Sequence, residues 1–192
     1  MPKVRFPEPV GEIDLIVGAR TRHLRISIRP FQSVRVNAPA GLDMTVIENF
    51  VLQRSSWIVR HREGSRQRER NTLQIIGATG KQRKENIDRQ LTTRFEKCAE
   101  TLGVSYERLV FRNQSTRWAS CSSKGNINLN RALSLLPKDL QEYVMVHEMV
   151  HLKTPNQGVK FWNRLEEWFP GAAAADRRLK DYAIPPPNLF LE

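Results

Sequence analysis

The stretch that most constrains this chain is Val144-Met145-Val146-His147-Glu148-Met149-Val150-His151-Leu152, an H-E-x-x-H pattern inside an otherwise apolar run. In a helix turning roughly 100° per residue, His147 and His151 lie about 40° apart on one face and one turn apart, so both imidazoles can reach one ion. Glu148 stands beside them, where a carboxylate can take a proton from a water on that ion. Leu140 and Val144 continue the histidine stripe, and Tyr143, Val146 and Val150 widen its apolar surface. A helix apolar nearly all round is a buried helix. Burying two imidazoles and a carboxylate is costly unless something pairs them. A divalent metal is the pairing that fits; two core histidines bonded to backbone carbonyls are the plain alternative.

The 192 residues suffice for one domain, or a domain with an appendage, and for a real core. No stretch is apolar enough to span a bilayer, and the N-terminal residues lack the apolar core of a signal peptide, so the expected location is the cytoplasm, without a membrane partner. Cys98 and Cys121 do not form a metal-ligand spacing and are expected as reduced thiols. The net charge of +11 gathers in residues 61–70 and 81–84. Such a surface can attract nucleic acid, a possible partner, although no aromatics are interleaved for base stacking; a solvated basic face accounts for it equally.

Residues 12–17, 24–29 and 34–36 alternate as short strands, divided by turns at residues 30–33 and 39–41. Their polar positions predict an antiparallel sheet with one wetter face. Asp43 can cap a helix running through Val46, Phe50, Trp57 and Ile58, with Trp57 packed inward. From Arg62 to about Arg83 the pattern dissolves into charged sequence that reads as a mobile connector, with at most one short strand at residues 71–76. A second helix spans about residues 84–102, with Ile87, Leu91, Phe95 and Cys98 or Ala99 inward. Strands at residues 108–112, 117–123 and 126–130 follow as a hairpin or meander, with a turn at Lys124-Gly125. Pro137 opens the H-E-x-x-H helix. Residues 155–158 break it, and helices over about residues 159–168 and 176–182 precede Pro185-Pro186-Pro187, where order is expected to end. The pattern predicts an α+β fold, a small antiparallel sheet packed against helices that include the H-E-x-x-H helix. A single domain over residues 1–192 is expected: strands and a helix over about 10–62, the connector over about 62–83, the core over about 84–183, and a Pro-rich tail over 184–192.

Arg117-Trp118-Ala119-Ser120-Cys121-Ser122, then Gly125-Asn126-Ile127-Asn128-Leu129-Asn130, then His147-Glu148-Met149-Val150-His151-Leu152, then Phe161-Trp162 resembles the YgjP-like metallopeptidases. These are zincin-type metal-dependent hydrolases related to the SprT-like and WLM proteases. Residues 62–86 look shorter than the family pattern, which carries a further strand pair there. The resemblance implies a zincin-like fold, a peptide or protein substrate, and one Zn2+ with His147 and His151 as ligands and Glu148 as general base. The family's third ligand is a histidine just past this helix, and Gln157 stands in its place. An amide oxygen is a weaker donor than imidazole, so Zn2+ would be held less firmly. Glu166 or Glu167 is an alternative third ligand, whereas His23 and His61 lie far off in sequence. Cys121 carries no mark of an activated nucleophile. A peptide could add to the edge of the 118–122 strand, for which ordinary hairpin packing is the alternative. Two functions follow: a zinc-dependent peptidase with Glu148 as base, or a degenerate member with an incomplete site acting as a binding or scaffold protein.

Overall fold

A computed structural model describes residues 3–192. The chain divides into two compact units, Met1–Glu69 and Arg70–Glu192. Among the described residues no helix is long and apolar enough to cross a membrane.

The first unit holds a four-stranded sheet of β1 (Lys3–Arg5), β2 (Glu12–Gly18), β3 (Arg25–Ser27) and β4 (Arg35–Pro39), in the order β1-β2-β4-β3. Alternation in β2 and β4 sends Ile13, Leu15, Val36 and Ala38 inward, where Ile47, Val51 and Ile58 cover them. The sheet is mixed rather than antiparallel, because β2 and β4 run parallel. Helix α1 (Met44–Leu52) is capped as expected, the Asp43 carboxylate accepting from the Thr45 N–H at 2.7 Å. It stops at Gln53, before Trp57, and Trp57 is 40% exposed and stacked on His61 instead of packed inward.

The expected mobile connector over residues 62–83 is instead the greater part of α2 (Ser55–Thr79), and no strand forms at residues 71–76. Arg, Gln and Glu dominate here, and straight-chain residues lose little rotamer freedom in a helix. Propensity thus holds a helix that apolar periodicity does not announce. Arg62 has a structural task in the first unit, donating to the carbonyls of Val10 at 2.7 Å and Pro9 at 2.5 Å.

In the second unit α3 (Lys84–Thr101) buries Ile87, Leu91, Phe95 and Ala99, the predicted face. The second sheet has the order β5-β7-β6: β5 (Arg108–Arg112), β7 (Asn126–Asn130) and β6 (Ala119–Cys121). β6 and β7 form the antiparallel hairpin, but β5 lies parallel to β7, so this sheet is mixed as well, and not a meander. The turn between β6 and β7 needs Gly125. Its φ is +77°, a left-handed conformation that side chains rarely adopt. A 3-10 turn (Arg131–Leu135) leads into α4 (Lys138–Lys153), followed by α5 (Val159–Trp168) and α6 (Ala172–Leu179). The tail does not end in disorder at the prolines. Phe190 and Leu191 are buried, and Gln82 and Leu191 form a β-bridge. The α+β class holds, with two small mixed sheets and six α-helices among the described residues.

Candidate metal centre

Helix α4 is set by its ends and by its burial. Pro137 precedes its first turn, and Asp139 lies near the positive end, where it also pairs with Arg178. Nine of its residues are buried, among them Leu140, Val144, Val146, Met149 and Val150. Gln141, also buried, donates to the carbonyls of Ser134 at 3.1 Å and Leu136 at 2.7 Å, tying α4 to the 3-10 turn. Packing on every side gives the two histidines and Glu148 fixed directions.

His147 and His151 do share a face. Their ring centroids lie 5.1 Å apart. Phe161, from α5, stands behind both, 4.9 Å from the first ring and 4.5 Å from the second. Tyr143 meets His147 edge-on at 5.9 Å and donates its hydroxyl to Asp176 at 3.3 Å. The Nε2 atoms of both histidines face Gln157, whose amide nitrogen lies 3.1 Å from the first and 3.2 Å from the second. His151 Nδ1 lies 3.0 Å from the Pro155 carbonyl, and His147 Nδ1 is buried without a partner.

Glu148 lines the same cleft between α4 and β6 as the two histidines and is only 8% exposed. Burial pushes its carboxyl up to about 7, against the opposing pull of the Cys121 backbone N–H and the Arg117 guanidinium. Burial, with the neighbouring His151, lowers His147 to about 4, and Asp176 works weakly the other way. Both groups therefore favour their neutral forms. Cys121 is pushed up to about 11, first by burial and then by Glu148, which is the wrong direction for a nucleophile.

The cleft is about 520 Å3 and is walled by β6 on one side and by His147, Glu148, His151 and Gln157 on the other. Because β6 pairs only with β7, its other edge is unpaired within the sheet.

The donors present fit a divalent ion, through a set weaker than three imidazoles. Donors at about 2.0–2.1 Å from a tetrahedral ion lie roughly 3.4 Å from one another, and the Gln157 side-chain head stands 3.1 Å and 3.2 Å from the two imidazole Nε2 atoms, close to that spacing. Among the described residues no group of three His, Cys, Asp or Glu side chains is placed to hold a metal. Glu166 is committed elsewhere, its carboxylate accepting from the N–H groups of Gly171 at 2.6 Å and Ala172 at 3.0 Å. Glu167 is an exposed residue of α5, and His61 stacks on Trp57. Sequence reasoning did not single out Phe161 as the wall behind the imidazoles, Arg117 as the cation nearest Glu148, or the Pro155 carbonyl. Only the position of Phe161 shortly after the H-E-x-x-H helix gave a signal.

A family model described as YgjP-like, metallopeptidase domain, matches residues 22–82 and 79–182. No curated protein matches the chain. Two crystal structures of metallopeptidase zymogens are similar to it. Abylysin of Pyrococcus abyssi is 27% identical over 46% of this chain and 90% of its own, with a TM-score of 0.42. Jannalysin of Methanocaldococcus jannaschii is 22% identical over 47% of this chain and 91% of its own, with a TM-score of 0.41.

Proposed function

This chain belongs to the YgjP-like family of metallopeptidase domains, and on that premise we propose that it hydrolyses peptide bonds at the cleft between α4 and β6. His147 and His151 would hold one divalent ion, zinc as in the resembled family, and Gln157, whose amide nitrogen faces both rings, would join them only through its amide oxygen. When bound, the ion supplies a more acidic water and a polarised carbonyl. The observation that carries the reading is the convergence of both imidazoles beside a buried carboxylate in one cleft.

The residues of the chain do the rest. An extended substrate pairs its backbone with the unpaired edge of β6, which brings a peptide carbonyl to the histidine face. Glu148 accepts a proton from the attacking water and returns it to the leaving amine. A carboxyl titrating near neutrality suits both halves of that transfer. The Cys121 N–H holds the carboxylate in place, and Phe161 and Tyr143 keep the imidazoles upright. Hydrolysis of a mixed peptide library by zinc-supplemented protein tests the reading. Glu148→Gln should lower the rate by about 100-fold or more; undiminished cleavage by that variant would sink the proposed role.

A further inference from the structure

One amide nitrogen bonded to two imidazole nitrogens leaves little freedom in where the hydrogens lie. A carbonyl can only accept, so His151 Nδ1, 3.0 Å from the Pro155 oxygen, carries the hydrogen. In the neutral ring its Nε2 is then a bare lone pair. The group of Gln157 that faces it must donate, which makes that group the NH2. The second hydrogen of the same NH2 goes to His147 Nε2, which is therefore also a lone pair. His147 thus carries its hydrogen on Nδ1, the buried atom without a partner. Both imidazoles consequently hold the tautomer a metal ligand needs, with their metal-facing lone pairs occupied by an amide.

We propose that Gln157 is a competing occupant of the metal position: its NH2 sits on the two lone pairs that would bind a divalent cation, and the cation enters only when the amide leaves. The proposal rests on the reading that His147 and His151 are metal ligands. Amide nitrogen has no lone pair to offer a cation, so Gln157 joins the coordination only after turning about 180° to present Oε1. Nothing in its surroundings forbids the turn, because residues 155–158 form an exposed loop between α4 and α5. That loop has two opposed effects. Pro155 sets the tautomer that accepts metal, while Gln157, two residues on, covers the same nitrogens. The outcome is an exchangeable site whose occupancy follows the supply of the ion.

Competition titration of the full chain, stripped of metal, with Zn2+ against a chromophoric chelator tests this without any activity measurement. Removing the amide in Gln157→Ala frees both lone pairs, and a water replaces one neutral oxygen donor by another. Zinc should bind about 10-fold more tightly than to the unaltered chain, from two lost hydrogen bonds at an exposed position. Gln157→His should bind more tightly still. Imidazole 15N spectra of the metal-free chain should show both rings as Nδ1–H tautomers, and Gln157→Ala should relax His147 toward a mixture while the Pro155 carbonyl keeps His151 on Nδ1–H. Equal or weaker zinc binding by Gln157→Ala, with stoichiometric binding by the unaltered chain, would overturn the competition and leave the metal site standing. Failure of all three proteins, each folded by circular dichroism, to take up zinc would overturn the metal reading and this inference with it.

Discussion

The neutral forms favoured by Glu148 and His147 make a prediction about stability that needs neither substrate nor metal. Glu148 is held near 7 in the folded chain against an ordinary value of 4.5, so between those values the folded state carries a proton that the unfolded state has lost. Its contribution to stability is fullest at low pH and falls by about 1.4 kcal/mol per unit as pH rises, some 3 kcal/mol across the window. His147 is the opposite case. It is held near 4 against 6.5, so between those values the unfolded state carries the proton and stability rises with pH at about the same rate. The two windows overlap from about pH 4.5 to about 6.5. There the pair binds one proton in either state, on Glu148 when folded and on His147 when unfolded, and its combined slope is close to zero.

Single substitutions should expose the hidden slopes. Urea unfolding of the metal-free chain, in a chelator and at half-unit steps from pH 4.5 to 7, measures them as differences from the unaltered protein, which removes the background of other titrating groups. Glu148→Gln removes the falling contribution of Glu148, so its stability relative to the unaltered chain should climb by about 1.4 kcal/mol per pH unit from about 4.5 up to about 7. His147→Gln leaves Glu148 uncompensated and should show the reverse, a relative loss with rising pH. Difference profiles flat to within about 0.3 kcal/mol per unit for either variant would refute the argument, because the side chain would then titrate alike in both states.

Two further results follow from the same unit. Gln141→Leu removes the donor shared by the half-buried Ser134 and buried Leu136 carbonyls and should cost about 2 kcal/mol; a urea midpoint unchanged from that of the parent would show those carbonyls to be otherwise satisfied. Cys121, pushed up to about 11, and Cys98, raised chiefly by burial, should react with a disulfide reagent at pH 8 much more slowly in the folded chain than in urea, and rapid labelling of either folded thiol would contradict those environments.

What was legible in the sequence was whatever one element carries by itself. The stripe of Ile87, Leu91 and Phe95 declares α3, alternation declares β2, and the spacing of His147 and His151 declares a shared face before any coordinate is known. Partnership between elements was not legible. Nothing in β5 or β7 says that they run parallel, and nothing in Pro185-Pro186-Pro187 says that Phe190 and Leu191 beyond them will be buried. Helix α2 was missed because its signal is propensity rather than period, and a charged stretch interrupted by Gly64 and Gly77 reads as loop to any test for an apolar face. Gln157 lies between these cases. Its position just past the H-E-x-x-H helix, where the resembled family carries a histidine, marks it from sequence as a candidate for the site, but whether an amide gives oxygen to an ion or hydrogen to an imidazole depends on which atom faces inward. The Pro155 carbonyl decides that by fixing the tautomer of His151, and backbone carbonyls leave no trace in side-chain identity. A residue can therefore be named from sequence as part of a site while its sign, ligand or competitor, is set by a neighbour whose side chain takes no part.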